Sequence, residues 1–156
     1  MADATTKVTT STQIAHIGSG ASMAPAALSG SADVSVALDG TNNLARYPRC
    51  DVVLTISPTA SIASTSTNLY LYRRDLNING TADEGIPGAS NKQKFVGSFQ
   101  VPAATTVSTT HNLECNDVPL PTPGDCEFYV ENALGVNVPI GWTLKVTPKS
   151  DVGATS

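Results

Sequence analysis

The run Arg49-Cys-Asp-Val-Val-Leu-Thr-Ile-Ser57 alternates apolar and polar side chains. Cys50, Val52, Leu54 and Ile56 share one side; Arg49, Asp51, Thr55 and Ser57 share the other, with Val53 the apolar exception. A period of two is that of a strand with one buried face. Six further stretches follow the same rule. Ala32–Leu38 places Val34, Val36 and Leu38 together, and Asn68–Arg74 does so with Leu69 and Leu71, leaving Tyr70 and Tyr72 opposite. Lys94–Val101 offers Phe95, Phe99 and Val101, and Thr106–Leu113 offers only Val107 and Leu113. Cys126–Asn132 offers Cys126, Phe128 and Val130, and Gly141–Pro148 offers Trp142, Leu144 and Val146. Turn residues separate them: Asn79-Gly80, Pro87-Gly88, Pro123-Gly-Asp125 and Gly135. The expectation is an all-β chain, an antiparallel β-sandwich (jelly-roll or Ig-like) of about seven to eight strands with an extended N-terminal arm.

The organisation expected is an arm over 1–31, a sandwich over 32–150 and a short tail over 151–156. The arm is small and polar, with Val8, Ile14, Ile17, Met23 and Leu28 its sizeable apolar residues. Such a segment cannot fold alone. It is either a disordered leader or an arm that orders on a neighbouring subunit, with Gln13–Ile17 adding a strand to an exposed edge. The long connection Asn77–Lys92 is expected to be a contact surface.

Charged residues make up 14% of the 156 positions, with a net charge of -4. Charge is depleted where surfaces become buried between subunits, although a weakly charged free surface reads the same way. The Lys and Arg residues are scattered, the densest pair being Arg73-Arg74, so nucleic-acid binding is not expected. No long apolar run suggests a membrane span, and the first residues do not read as a secretory signal, so synthesis in a cytoplasm is expected. Cys50 reads as a core thiol. Cys115 and Cys126 flank the Pro-rich stretch Asn116–Asp125, and a disulfide between them is left open.

Catalytic chemistry finds little support. The two histidines, His16 and His111, stand far apart and beside no nucleophile motif. Asp83-Glu84 reads as solvated loop charge rather than a glycosidase pair. Asp75-Leu-Asn77-Ile-Asn79-Gly80-Thr-Ala-Asp83 matches the front of a calcium loop, but its twelfth position is Ile86 rather than a bidentate Glu. Strand alternation through Leu76 and Ile78 into an Asn-Gly turn is the simpler reading. Asn79-Gly80-Thr81 is also a glycosylation sequon, without meaning in a chain that is not secreted. Tyr70 and Tyr72 could form an aromatic platform for a sugar or a protein, or be covered by a sheet or loop. No catalytic, cofactor-binding or metal-binding residue is assigned, and no cofactor is expected.

Three stretches carry a resemblance: Arg46-Tyr-Pro-Arg-Cys-Asp-Val-Val-Leu-Thr55; Leu69-Tyr-Leu-Tyr-Arg-Arg-Asp75 with Asn79-Gly-Thr-Ala-Asp-Glu84; and Phe128-Tyr-Val-Glu-Asn132 with Gly141-Trp-Thr-Leu-Lys-Val-Thr-Pro148. In this order, over about residues 40–148, the chain resembles small virion structural proteins of tailed bacteriophages, some of which decorate or cement the capsid. The resemblance implies a structural, non-enzymatic protein of the virion. Its expected partners are the major capsid protein and further copies of itself, a trimer being one arrangement; neither nucleic acid nor membrane is expected. A tail or head-to-tail connector component is the nearest alternative. A carbohydrate-binding module using Tyr70 and Tyr72 is the alternative from another class.

Overall fold

The computed structural model describes residues 7–10, 14–29, 47–58, 67–76, 78, 83–87, 94–102, 109–121 and 125–152. Eight strands form two antiparallel sheets: β1 (Lys7–Thr10), β2 (Ile14–Gly20), β3 (Arg49–Ile56), β4 (Asn68–Leu76), β5 (Phe95–Gln100), β6 (His111–Pro119), β7 (Asp125–Asn132) and β8 (Trp142–Val152). The larger sheet runs β1-β8-β3-β6, with β2 also on β8; the smaller runs β5-β4-β7. The all-β sandwich expected from the alternation is therefore the fold. The expected strand Ala32–Leu38 lies outside the described residues.

Alternation places the core between the sheets. Cys50, Val52, Leu54 and Ile56 of β3 and Trp142, Leu144 and Val146 of β8 are buried from the large sheet. Leu69 and Leu71 of β4 and Cys126, Phe128 and Val130 of β7 are buried from the small one. On one flank the sheets approach closely: a Cβ on Gly97 of β5 would collide with Cys115 Sγ of β6. Only glycine permits that approach.

Two strands depart from the simple period. Of the weak strand expected over Thr106–Leu113, residues 106–108 lie outside the described residues, and the strand there, β6, runs from His111 on to Pro119. Its pairing with β3 slips between Cys50 and Val52, where Asp117 takes a left-handed φ of 57°. The bulge puts one extra residue between the buried positions Leu113 and Val118, which hides the alternation. A second slip, between Leu71 and Tyr72 in the β4–β5 pairing, turns Phe95 to the outer face, although the alternation groups it with Phe99 and Val101.

The segment read as an arm is extended and lies on its own domain. β1 and β2 pair end to end along the edge of β8, Lys7–Thr10 with Lys149–Val152 and Ile14–Gly20 with Val146–Trp142. β8 accordingly runs on to Val152, into the stretch read as a tail. The chain then crosses to the small sheet, with bridges Met23–Val138 and Leu28–Glu131. Ile17 and Met23 enter the core. Gly20 lies against Trp142, where a Cβ would overlap the indole, and Trp142 Nε1 donates to Ala21 O at 2.7 Å.

Asn132 fastens this crossing. Its buried amide donates to Met23 O (3.0 Å) and Val136 O (2.9 Å), and its Oδ1 accepts from Leu134 N at 3.0 Å. Ser29, also buried, bonds both main-chain groups of Val130: its N donates to Val130 O at 2.7 Å and its Oγ accepts from Val130 N at 3.0 Å. The buried side-chain polar atoms of Asn132 and Ser29 thus have partners, which removes the main cost of burying them.

Candidate functional surface

The register of β4 on β7 separates the faces of the small sheet. Leu69, Leu71, Arg73 and Asp75 stand with Asn132, Val130, Phe128 and Cys126 on the inner side; Tyr70, Tyr72 and Arg74 stand with Glu131, Tyr129 and Glu127 on the outer side. Phe95 joins this outer side, edge-on to Tyr70 (centroids 5.9 Å apart) and to Tyr72 (6.1 Å).

This outer face is not a wetted one. Tyr72 and Tyr129 are only 4% and 1% exposed. Their hydroxyls are satisfied by carboxylates: Tyr72 Oη donates to Glu131 Oε2 at 2.6 Å and Tyr129 Oη to Glu127 Oε2 at 2.9 Å. Arg74 Nη1 shares that Glu127 oxygen at 3.1 Å, and its Nη2 lies 3.5 Å from Asp83. Burial and the bond to Glu131 push the Tyr72 phenol up, and burial with the bond to Glu127 pushes Tyr129 up to about 12. Both effects favour the protonated phenol.

At the same end, part of the long connection folds back on β4. Glu84 N donates to Asp75 O at 2.9 Å, Asp75 N donates to Glu84 Oε2 at 3.2 Å, and Arg74 Nε donates to Glu84 O. Lys94 Nζ ties Glu84 (3.4 Å) to Asp75 (3.4 Å). Three apolar side chains stand exposed around this end: Ile78 (62%), Ile86 (49%) and Phe95 (51%).

The calcium-like stretch is used differently. The Asp75 carboxylate pairs with Arg73 Nε at 2.7 Å as well as with Lys94, and Asp83 pairs with Arg74. Two of the oxygen ligands that such a loop would supply are thus committed to cations; Asn77, Asn79, Gly80 and Thr81 lie outside the described residues. Arg73 also reaches across the sandwich, its Nη1 donating to Pro119 O at the end of β6.

The other singled-out residues are dispersed. His16 is in β2 and His111 opens β6, with β8 and β3 between those strands. No disulfide joins Cys115 and Cys126, which are thiols along with Cys50. Cys115 belongs to the large sheet opposite Val52, and Cys126 to the small sheet opposite Asp75. Burial, and after it the neighbouring Cys126, push the Cys50 thiol up; burial pushes Cys115 up. Thiols so raised are poor nucleophiles.

The outer face of the large sheet has a different make-up. Lys149 Nζ bridges Asp51 (2.7 Å) and Asp117 (2.8 Å), and Arg49 Nη1 pairs with Asp117 at 2.9 Å. Asp117 N also donates to Asp51 Oδ1 at 3.0 Å, so the network sits directly on the bulge. The Lys149 hydrogen bond holds the Asp117 carboxyl below its ordinary range, and the same bond raises Lys149.

No protein-family model matches the chain. No curated protein matches it in sequence. Among the described residues no helix is long and apolar enough to cross a membrane, and no three His, Cys, Asp or Glu side chains are grouped to hold a metal ion.

Proposed function

We propose that the chain is a structural, non-enzymatic protein of a tailed-bacteriophage virion that decorates and cements the capsid by binding major capsid subunits. The observation that carries this reading is Phe95, half exposed beside Tyr70 on the outer side of the small sheet, with Ile78 and Ile86 exposed in the chain that follows β4, on a weakly charged domain. Interface cores are enriched in aromatic side chains and depleted in charge. The likeness of residues 40–148 to such virion proteins supplies the kind of partner. A lattice-binding protein of this kind stabilises the shell by mass action, because it binds the assembled form alone.

The deciding measurement is protein stoichiometry in purified particles by quantitative mass spectrometry. A cement protein is present in hundreds of copies, a connector component in about a dozen, and absence from the particle overturns the reading. Replacing Phe95 and Ile86 together by Ser is expected to abolish binding to capsids stripped of the protein while leaving the β-sheet circular dichroism unchanged. A sugar-binding role is less well supported, because the Tyr70 and Phe95 rings meet at 76° rather than forming a flat platform.

A further inference from the structure

The described parts of the N-terminal tract, residues 7–10 and 14–29, are held as a bound peptide would be held. Its main-chain partners lie more than 100 positions away: Lys149–Val152 for β1, Trp142–Val146 for β2, then Val138, Asn132 and Val130. Met23 and Val138 exchange both main-chain hydrogen bonds (2.9 and 3.0 Å), Gly141 N donates to Gly20 O (2.8 Å), and Asn132 N donates to Ala27 O (2.9 Å). Ile17, Met23 and Ser29 are its buried side-chain anchors. Residues 30–46 are the covalent link to the rest of the body, 17 positions in all. Fully extended, that length spans up to about 60 Å.

We propose that this tract exchanges between copies, so that residues 7–29 of one chain seat on the β8 edge and the β7 flank of a second copy. The occupant follows from the groove itself, which already fits this sequence through the Gly20–Trp142 approach and the Asn132 amide. Exchange regenerates each of these contacts, so concentration rather than contact energy sets the balance. The tract carries Lys7 and His16 but no acidic residue, so no carboxylate clash opposes its transfer. A short link holds its own tract at an effective concentration of order mM. Dilute chains therefore close on themselves, and chains crowded side by side exchange. This concerns the join between copies and stands wherever the copies meet, so its failure would leave the virion reading untouched.

The test uses the full chain and the antiparallel partners Ala15 and Lys145. The double variant Ala15→Cys/Lys145→Cys is expected to close a bond within one chain on mild oxidation. The two single variants, mixed, unfolded in urea and refolded together at about 1 mM, are expected to give a dimer whose bond between positions 15 and 145 is identified by peptide mass. Peptide mass separates that bond from any made by the native thiols. The dimer fraction should fall at least tenfold when refolding is done at about 10 μM. Absence of the interchain bond at the higher concentration, with the double variant closing normally, overturns the proposal. Failure of the double variant to close also overturns it, because the pairing on which exchange depends would then not exist.

Discussion

The outward side of the large sheet is organised by ion pairs, Lys149 with Asp51 and Asp117 and Arg49 with Asp117, whereas the outward side of the small sheet is organised by phenols on carboxylates, Tyr72 on Glu131 and Tyr129 on Glu127. The two faces have the same geometry and are held by different chemistry. Asp117 is open to water, where an ion pair gains little over hydration and is screened by salt. Tyr129 is buried, so its ring contributes by burial and its hydroxyl requires a partner.

Removing the most buried ring of the small sheet's outer side should break the contrast most severely. Tyr129→Ala is expected to cost about 3–5 kcal/mol, by analogy with other large aromatic truncations, read as a lowered urea midpoint. Next comes the corner that fastens the N-terminal tract to the small sheet. Asn132→Asp keeps the shape but removes the side-chain donor to Val136 O and to Met23 O, the latter keeping its bond from Val138 N. About 1–3 kcal/mol should be lost at Val136 O, with early hydrogen exchange at Met23 and Val138.

Alkaline titration sharpens the comparison without any large change in packing. In the folded chain burial and the carboxylate bonds push Tyr129 up to about 12 and raise Tyr72 as well, both above the ordinary phenol value of 10. The unfolded chain therefore releases these protons first as pH rises. Stability is expected to be intact below about pH 10, to fall as pH rises from there through the folded values, and to level off beyond them. Tyr72→Phe and Tyr129→Phe should each reduce that slope, as followed by tyrosinate absorbance and urea midpoints at matched pH. The smallest effect belongs to the large sheet: Lys149→Ala is expected to lower the urea midpoint least of these variants, and less still in high salt. Because Lys149 holds the Asp117 carboxyl low, that contribution is present above the ordinary carboxylate range and disappears as pH falls through the folded value.

How far these faces were legible varied with local geometry. β3, β4, β7 and β8 follow the period of two closely, so their buried sides could be read directly. β6 could not be placed from the pattern, because the bulge at Asp117 separates Leu113 from Val118 by an odd step. The slip beside Tyr72 likewise reversed the side assigned to Phe95. Tyr70, Tyr72, Val53 and Tyr129 were visible in the sequence as breaks in the polar face, and this is what pointed to a covered second surface. The tract 7–29 was harder: it has few large apolar residues and its pairing is set by main-chain bonds, which residue type does not encode. Asn132 left no signal at all, since an amide ending a strand is indistinguishable in sequence from one facing water.

The close seat of Gly20 against Trp142 has an optical consequence. Trp142 is the single tryptophan of the chain, and its indole nitrogen is bonded to Ala21 O within the N-terminal tract. When that tract leaves its groove the ring loses both its cover and its acceptor. The intrinsic emission of the unlabelled protein should therefore move to longer wavelength, giving a native clock for how fast the tract departs and returns.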